Sequence, residues 1–314
     1  MKRSITEVLR RGILSTLANW PVILTRIVEL LVQFGIALVA IIGCIVPLLV
    51  SAGLTQWRLP EGTNPSEVVT KILVEHAALF TYLFLFILVI GLIMVVVRAF
   101  VAAGAARIYV DADRAAGDGP DLRREQFDVF TLERWSDGAR AAWWRLFWIY
   151  NGTWGMYGLI LLIPVMLVGI VTVLAAASDA GVGPVVAVSC GGLALVILIA
   201  IPLALVIGMW TQKAVVVCVA RNLTAGEALR DGWRDARADF LRHFLIYFLI
   251  TIIAGGASAV FSSALAPLRF GMRPDNLAEL FTGPVQIASF FLQAAVSNGV
   301  GCWLVAAFAA MTDR

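Results

Sequence analysis

Six stretches of this chain, residues 34–57, 77–97, 146–178, 180–212, 244–268 and 280–312, contain no Asp, Glu, Lys or Arg. About 20 residues of α-helix, rising roughly 1.5 Å each, cross about 30 Å of hydrocarbon, so every stretch is long enough to span a bilayer. Inside hydrocarbon the backbone N–H and C=O groups must pair within the protein, which leaves helices or closed barrels. Barrel strands alternate apolar and polar residues over about ten positions, and these stretches do not. The expectation is an all-α fold, a polytopic transmembrane helix bundle with six spans. Composition agrees: 61% of the 314 residues are hydrophobic and 14% are charged, against about 25% charged in a soluble domain. The first stretch starts after a 33-residue lead and exceeds a signal-peptide core in length, so it counts as a span.

Basic residues give an orientation. Of 24 Lys and Arg, 20 lie in the segment up to Arg26, in loops 98–145 and 213–242, and at Arg314. Only Arg58, Lys71, Arg269 and Arg273 lie on the opposite side. Positive charge stays cytoplasmic, so the reading is a multi-pass protein of the plasma (inner) membrane with both termini cytoplasmic. The net charge of +3 is no nucleic-acid signal. Loop 98–145 carries eight bases and eight acids, whereas a nucleic-acid face is basic in excess. Membrane lipid is the expected partner of the juxtamembrane arginines. A partner membrane protein or a second copy of the chain is the other expected contact.

The cytoplasmic segments share a pattern of Glu, any residue, a large apolar residue, two more positions, then Gly. It appears as Glu7-Val8-Leu9-Arg10-Arg11-Gly12, as Glu133-Arg134-Trp135-Ser136-Asp137-Gly138 and as Glu227-Ala228-Leu229-Arg230-Asp231-Gly232. Each copy precedes two spans. The chain therefore reads as one integral membrane domain, 1–314, with threefold helix-span-span units 1–130, 131–223 and 224–314. Three cytoplasmic amphipathic interfacial helices would introduce the units. Ser4…Glu7 and Thr224…Glu227 fit capping boxes, in which hydroxyl and carboxylate satisfy free amides reciprocally. In the second copy Phe130 stands where the cap belongs. In the third, Leu229, Trp233, Ala236, Phe240 and Tyr247 recur at helical spacing, predicting one apolar face against lipid or protein.

Two groups of residues are candidates for function. Trp135, Trp143, Trp144, Trp148 and Trp233, with Arg140 and Arg234, form a candidate interfacial or partner face, because indoles favour the headgroup zone. In span six, Gln286, Ser289, Gln293 and Ser297 share one helical face with Asn298 beside it. Facing lipid, these groups would lack partners, so the stripe is expected to face the bundle, bonding between helices or lining a polar path.

Signs of catalysis are absent from the sequence. No span carries an ionisable residue, which argues against a proton-coupled carrier. His76 and His243 precede spans on opposite sides, so they do not share a metal or a catalytic base. The chain contains no HExxH, GxSxG or GxxxxGK[ST]. No catalytic residue, metal ligand or cofactor is expected. The four cysteines lack metal or redox spacing and read as packing residues.

The two-span units introduced by Gly138-Ala139-Arg140 and Gly232-Trp233-Arg234, with Ile149-Tyr150 and Ile246-Tyr247 at the membrane, resemble a poorly characterised group of bacterial six-span membrane proteins. That group is similar to the membrane domain fused to some glycerophosphodiester phosphodiesterases. The resemblance implies the membrane fold and a bacterial source, and carries no catalytic residue with it. The expected function is non-enzymatic: a structural, scaffolding or accessory subunit meeting lipid or a partner through its cytoplasmic helices. The alternative is a transporter or channel subunit for an apolar or lipid-like substrate, with its path along the span-six stripe.

Overall fold

A computed structural model describes residues 3–51, 77–119, 121–177, 181–270 and 279–312, and these are helical with no strand among them. The helices are α1 (Ile5–Ala18), α2 (Pro21–Ser51), α3 (Ala77–Ala116), α4 (Leu132–Ala177), α5 (Val182–Arg221), α6 (Ala225–Ala238), α7 (Phe240–Phe270) and α8 (Glu279–Ala310), with a short 3₁₀ turn at Arg124–Phe127. Six of them hold windows long and apolar enough to cross a membrane: Pro21–Cys44, Ala77–Ala116, Leu132–Ala175, Gly183–Arg221, Phe240–Val260 and Ser289–Ala310. The chain is thus a multi-pass, all-helical membrane protein. Pro47, Pro164 and Pro202 lie inside α2, α4 and α5 without ending them, as spanning helices tolerate. Helices α3 and α5 run past their charge-free stretches to Ala116 and Arg221. Asn222, in the left-handed region at φ 55°, closes α5 by donating its N–H to Cys218 O.

Backbone contacts divide the chain into two compact units, Met1–Ile27 with Ala99–Arg314, and Val28–Arg98. In the smaller unit Glu29 is almost enclosed. Its Oε1 lies 3.4 Å from Arg98 Nη1 and accepts from Gln33 Nε2 at 3.2 Å.

In the larger unit the core sits at the charged ends of the helices. Val8, Ile108, Tyr109, Phe127, Leu146, Ile149, Met209, Ile246 and Phe308 are buried there. Farther along the same helices Leu159, Val173, Leu198 and Val260 are more than half exposed. In water so large an apolar surface would drive aggregation, and hydrocarbon removes that cost.

Three glycines set the packing at the charged end. A Cβ on Gly12 of α1 would meet Trp303 and the Ala307 backbone of α8. On Gly138 of α4 it would meet the Arg107 stem on α3, and on Gly232 of α6 the Ala214 backbone on α5. Small residues let helix backbones approach this closely. Indole donors hold two of these seams: Trp303 Nε1 donates to Leu9 O at 3.1 Å, and Trp210 Nε1 donates to Leu229 O at 2.8 Å. At the third, the large residue has changed sides. Trp135 of α4 packs over Gly104 of α3, edge-on to Phe100 at 5.7 Å.

The structure differs from the sequence expectation in four respects. The second unit has no separate leading helix, because α4 is a single 46-residue helix running from Leu132 through its span. No breaker lies there, whereas Pro21 starts α2 and Asp239 (φ −143°, ψ 54°) interrupts the chain between α6 and α7. The second copy does have a cap, one residue later than the alignment places it: Thr131 Oγ1 accepts from Arg134 N–H at 3.1 Å. In the first copy half of the capping box forms, with Ser4 Oγ accepting from Glu7 N–H at 3.2 Å and no return bond from the Glu7 carboxylate. Finally, α6 buries its small residues Ala228, Gly232 and Ala236, not Leu229 and Trp233, because small residues allow the close approach to α5. Phe240 and Tyr247 lie beyond the break at Asp239, on α7.

Candidate functional site

The span-six stripe meets α7 through Ser297. Ser297 Oγ lies 3.3 Å from Ser258 Oγ of α7, and Ser297 remains exposed. Asn298 turns back on its own helix, Nδ2 donating to Ala294 O at 2.9 Å. Ser289 and Gln293 are half-buried. The Gln286 side chain lies outside the described residues. The Ser258–Ser297 hydroxyl pair joins α7 and α8, a weak interhelical tie of about 0.6 kcal/mol.

The aromatic and arginine residues separate into two groups. Trp144 and Trp148 point outward, 52% and 51% exposed. They form a continuous cluster with Trp143 and Phe147, centroids 5.2–5.6 Å apart. Trp233 is partly exposed and meets Trp210 edge-on at 5.6 Å. Arg140 is exposed, and Arg234 bonds Asp231 on its own helix at 3.1 Å. Trp135 belongs to the packed interior against α3. The outward face is therefore Trp144, Trp148, Trp233, Arg140 and Arg234.

Sequence reasoning did not find the most developed polar feature, a network linking α1, α3, α5, α7 and α8. Arg11 on α1 is fully buried; its Nε donates to Asp113 Oδ1 at 2.8 Å and its Nη2 to Gly117 O at 2.6 Å. The Phe127 ring lies 5.6 Å from the guanidinium carbon, a cation–π arrangement. Arg3 also reaches Asp113, at 2.9 Å, as well as Asp118 and Ala310 O. Lys213 of α5 is 1% exposed and donates to Met311 O at 3.0 Å and Thr312 Oγ1 at 3.1 Å. Arg242 bonds Asp239 and the Arg3 carbonyl. His243 Nδ1 lies 2.9 Å from Asp239 O, and its ring rests against Phe308. His76 lies outside the described residues. Arg3, Asp113, Lys213, Asp239, Arg242 and His243 line a cavity of about 600 Å³. Most of its charges are already paired or bonded to helix-end carbonyls, an arrangement that joins helix ends. No local spacing signals it, since Arg11 and Asp113 are 102 residues apart.

The segment after α3 is strapped across α1. Gly117, at φ +63°, turns the chain. Asn19 Nδ2 donates to Phe127 O at 2.7 Å, and Val129 N–H donates to Asn19 Oδ1 at 3.2 Å. Arg10 Nη2 reaches Leu122 O. Phe127 and Leu122 then join Ala18, Ala112 and Ala116 in an apolar cluster. Burying a Phe side chain contributes about 2–3 kcal/mol.

A second groove, of about 410 Å³, opens among the ends of α3, α4 and α5, lined by Arg107, Arg134, Arg145, Asp111, Asp137 and Asn222 among others. Among the described residues no three His, Cys, Asp or Glu side chains converge as metal ligands. The four cysteines are free, and Cys218 Sγ lies 3.3 Å from Leu223 O. Comparison with protein-family models, curated proteins and solved structures finds no match for this chain.

Proposed function

We propose that this chain is a non-enzymatic scaffold or accessory subunit of a bacterial plasma membrane, with its charged end in the cytoplasm. The supporting observation is the distribution of order. Buried ion pairs and glycine seams concentrate at the charged end, while the spans present exposed apolar sides. A folded platform set on lipid-facing helices suits holding lipid or a partner chain. Trp144, Trp148 and Trp233 would then rest at the headgroup level, where indoles are favoured. The parallel between Trp303–Leu9 and Trp210–Leu229 supports reading the chain as repeated units related by one packing rule.

Native mass spectrometry of gently extracted protein tests the role. Stoichiometric retention of a second chain or of lipid is expected. A bare monomer that carries neither, and that nevertheless mediates flux abolished by Gln293→Leu, would replace the scaffold with the transporter reading. Ser297, exposed yet paired with Ser258, is the observation that favours this second reading.

A further inference from the structure

We propose that the groove between the ends of α3, α4 and α5 binds the phosphate of an anionic lipid headgroup through Arg134 and Arg145, with Arg107 beside them. The proposal rests on the membrane reading above and names a ligand for it.

Charge is the first ground. Arg107 in the groove wall is already neutralised by Asp111 at 2.8 Å. Among the described residues Arg145 bonds only neutral acceptors. Its Nη1 donates to Asn222 Oδ1 at 2.7 Å and Leu223 O at 3.2 Å, and its Nη2 to Ala141 O at 2.7 Å. Among the described residues Arg134 Nη1 reaches only Val129 O, at 3.3 Å. Asp137 also lines the groove and bonds neither of them. The groove therefore carries excess positive charge on guanidinium forks, and forks of this shape match phosphate oxygens in pairs.

Depth is the second ground. Arg145 lies between Trp144 and Trp148, which are about half exposed. Indoles sit at the headgroup boundary. Beyond them α4 continues as the exposed apolar side that includes Leu159, Leu162 and Val173, where acyl chains would lie. A cavity of about 410 Å³ suits a headgroup, within the roughly 300–1,000 Å³ of small-ligand sites. Capping the C-terminal carbonyls of α5 accounts for part of the placement of Arg145. It does not account for Arg134, whose charge no helix end uses.

The test uses the full chain reconstituted with phosphatidylglycerol and phosphatidylethanolamine and then examined by native mass spectrometry. Wild type should retain phosphatidylglycerol preferentially. Arg134→Gln should lower that retention about fivefold, the effect of losing roughly 1 kcal/mol per arginine at an anionic surface. Arg145→Gln should lower it further, and Arg237→Gln, exposed on α6 and outside the groove, should leave it unchanged. Because Arg145 also caps α5, Arg134→Gln is the deciding variant. Equal retention by wild type and Arg134→Gln would overturn the proposal. So would thermal stabilisation by inorganic phosphate that Arg134→Gln abolishes without any lipid preference, which would make the ligand a soluble phosphate. In either case the protein would still require detergent for extraction; if it did not, the membrane reading itself would fail.

Discussion

Arg11 and Asp113 show how much one residue pair carries here. Neither can leave its partner cheaply: a buried guanidinium without its carboxylate keeps the full desolvation penalty. Asp113→Ala is expected to destabilise the protein by about 3–5 kcal/mol, seen as a lower unfolding temperature in detergent. Arg3 would lose the same carboxylate, which adds to the effect. Gly232 acts through size, not charge. A methyl there would lie 2.8 Å from Ala214 Cα, a backbone atom that cannot swing aside. Gly232→Ala should therefore cost about 1–3 kcal/mol of overpacking strain and expose α6 to limited proteolysis. Gly226→Ala, at a position on the same helix whose Cβ would enter open space, is the control and should leave proteolysis unchanged.

Among the elements, α6 depends most visibly on its cap. Thr224 Oγ1 and N–H both donate to Glu227 Oε2, at 2.7 and 3.0 Å. These bonds, the hydroxyl's first, hold the Glu227 carboxyl below its ordinary range. The folded state thus binds this proton less readily than the unfolded one. The contribution is complete above the ordinary carboxylate range and is lost as pH falls through the depressed value. Amide hydrogen exchange at the start of α6 should accelerate in acid, and Thr224→Ala should remove most of that pH dependence. The seams above α1 and α6 rely on indole donors, so Trp303→Phe keeps a ring and loses the bond to Leu9. Its expected cost is about 1 kcal/mol in thermal unfolding. At the third seam, Trp135 over Gly104 fills the gap from the opposite helix.

At the scale of the whole molecule, order and charge coincide. The helix ends that carry Arg and Asp also bury the core, and the spans carry little packing of their own. The orientation proposed for this end is directly measurable. A reporter that becomes active only outside the cytoplasm, inserted after Gly119, should stay inactive. Activity there would reverse the topology and with it the lipid leaflet assigned to the Arg134–Arg145 groove.

That the chain holds six spanning helices and that Thr224 caps α6 were legible in the sequence. Each follows from a rule that acts along one segment: hydrocarbon excludes charge residue by residue, and a helix end needs a local oxygen. The face that α6 buries, the inward turn of Trp135, the strap over α1 and the Arg11–Asp113 pair were not legible. They depend on which distant surface arrives opposite, and 102 residues separate that buried pair. The tertiary structure also decided which arginines meet a carboxylate and which do not. The sequence counts charges, but only the fold determines whether Arg134 and Arg145 have a partner within reach.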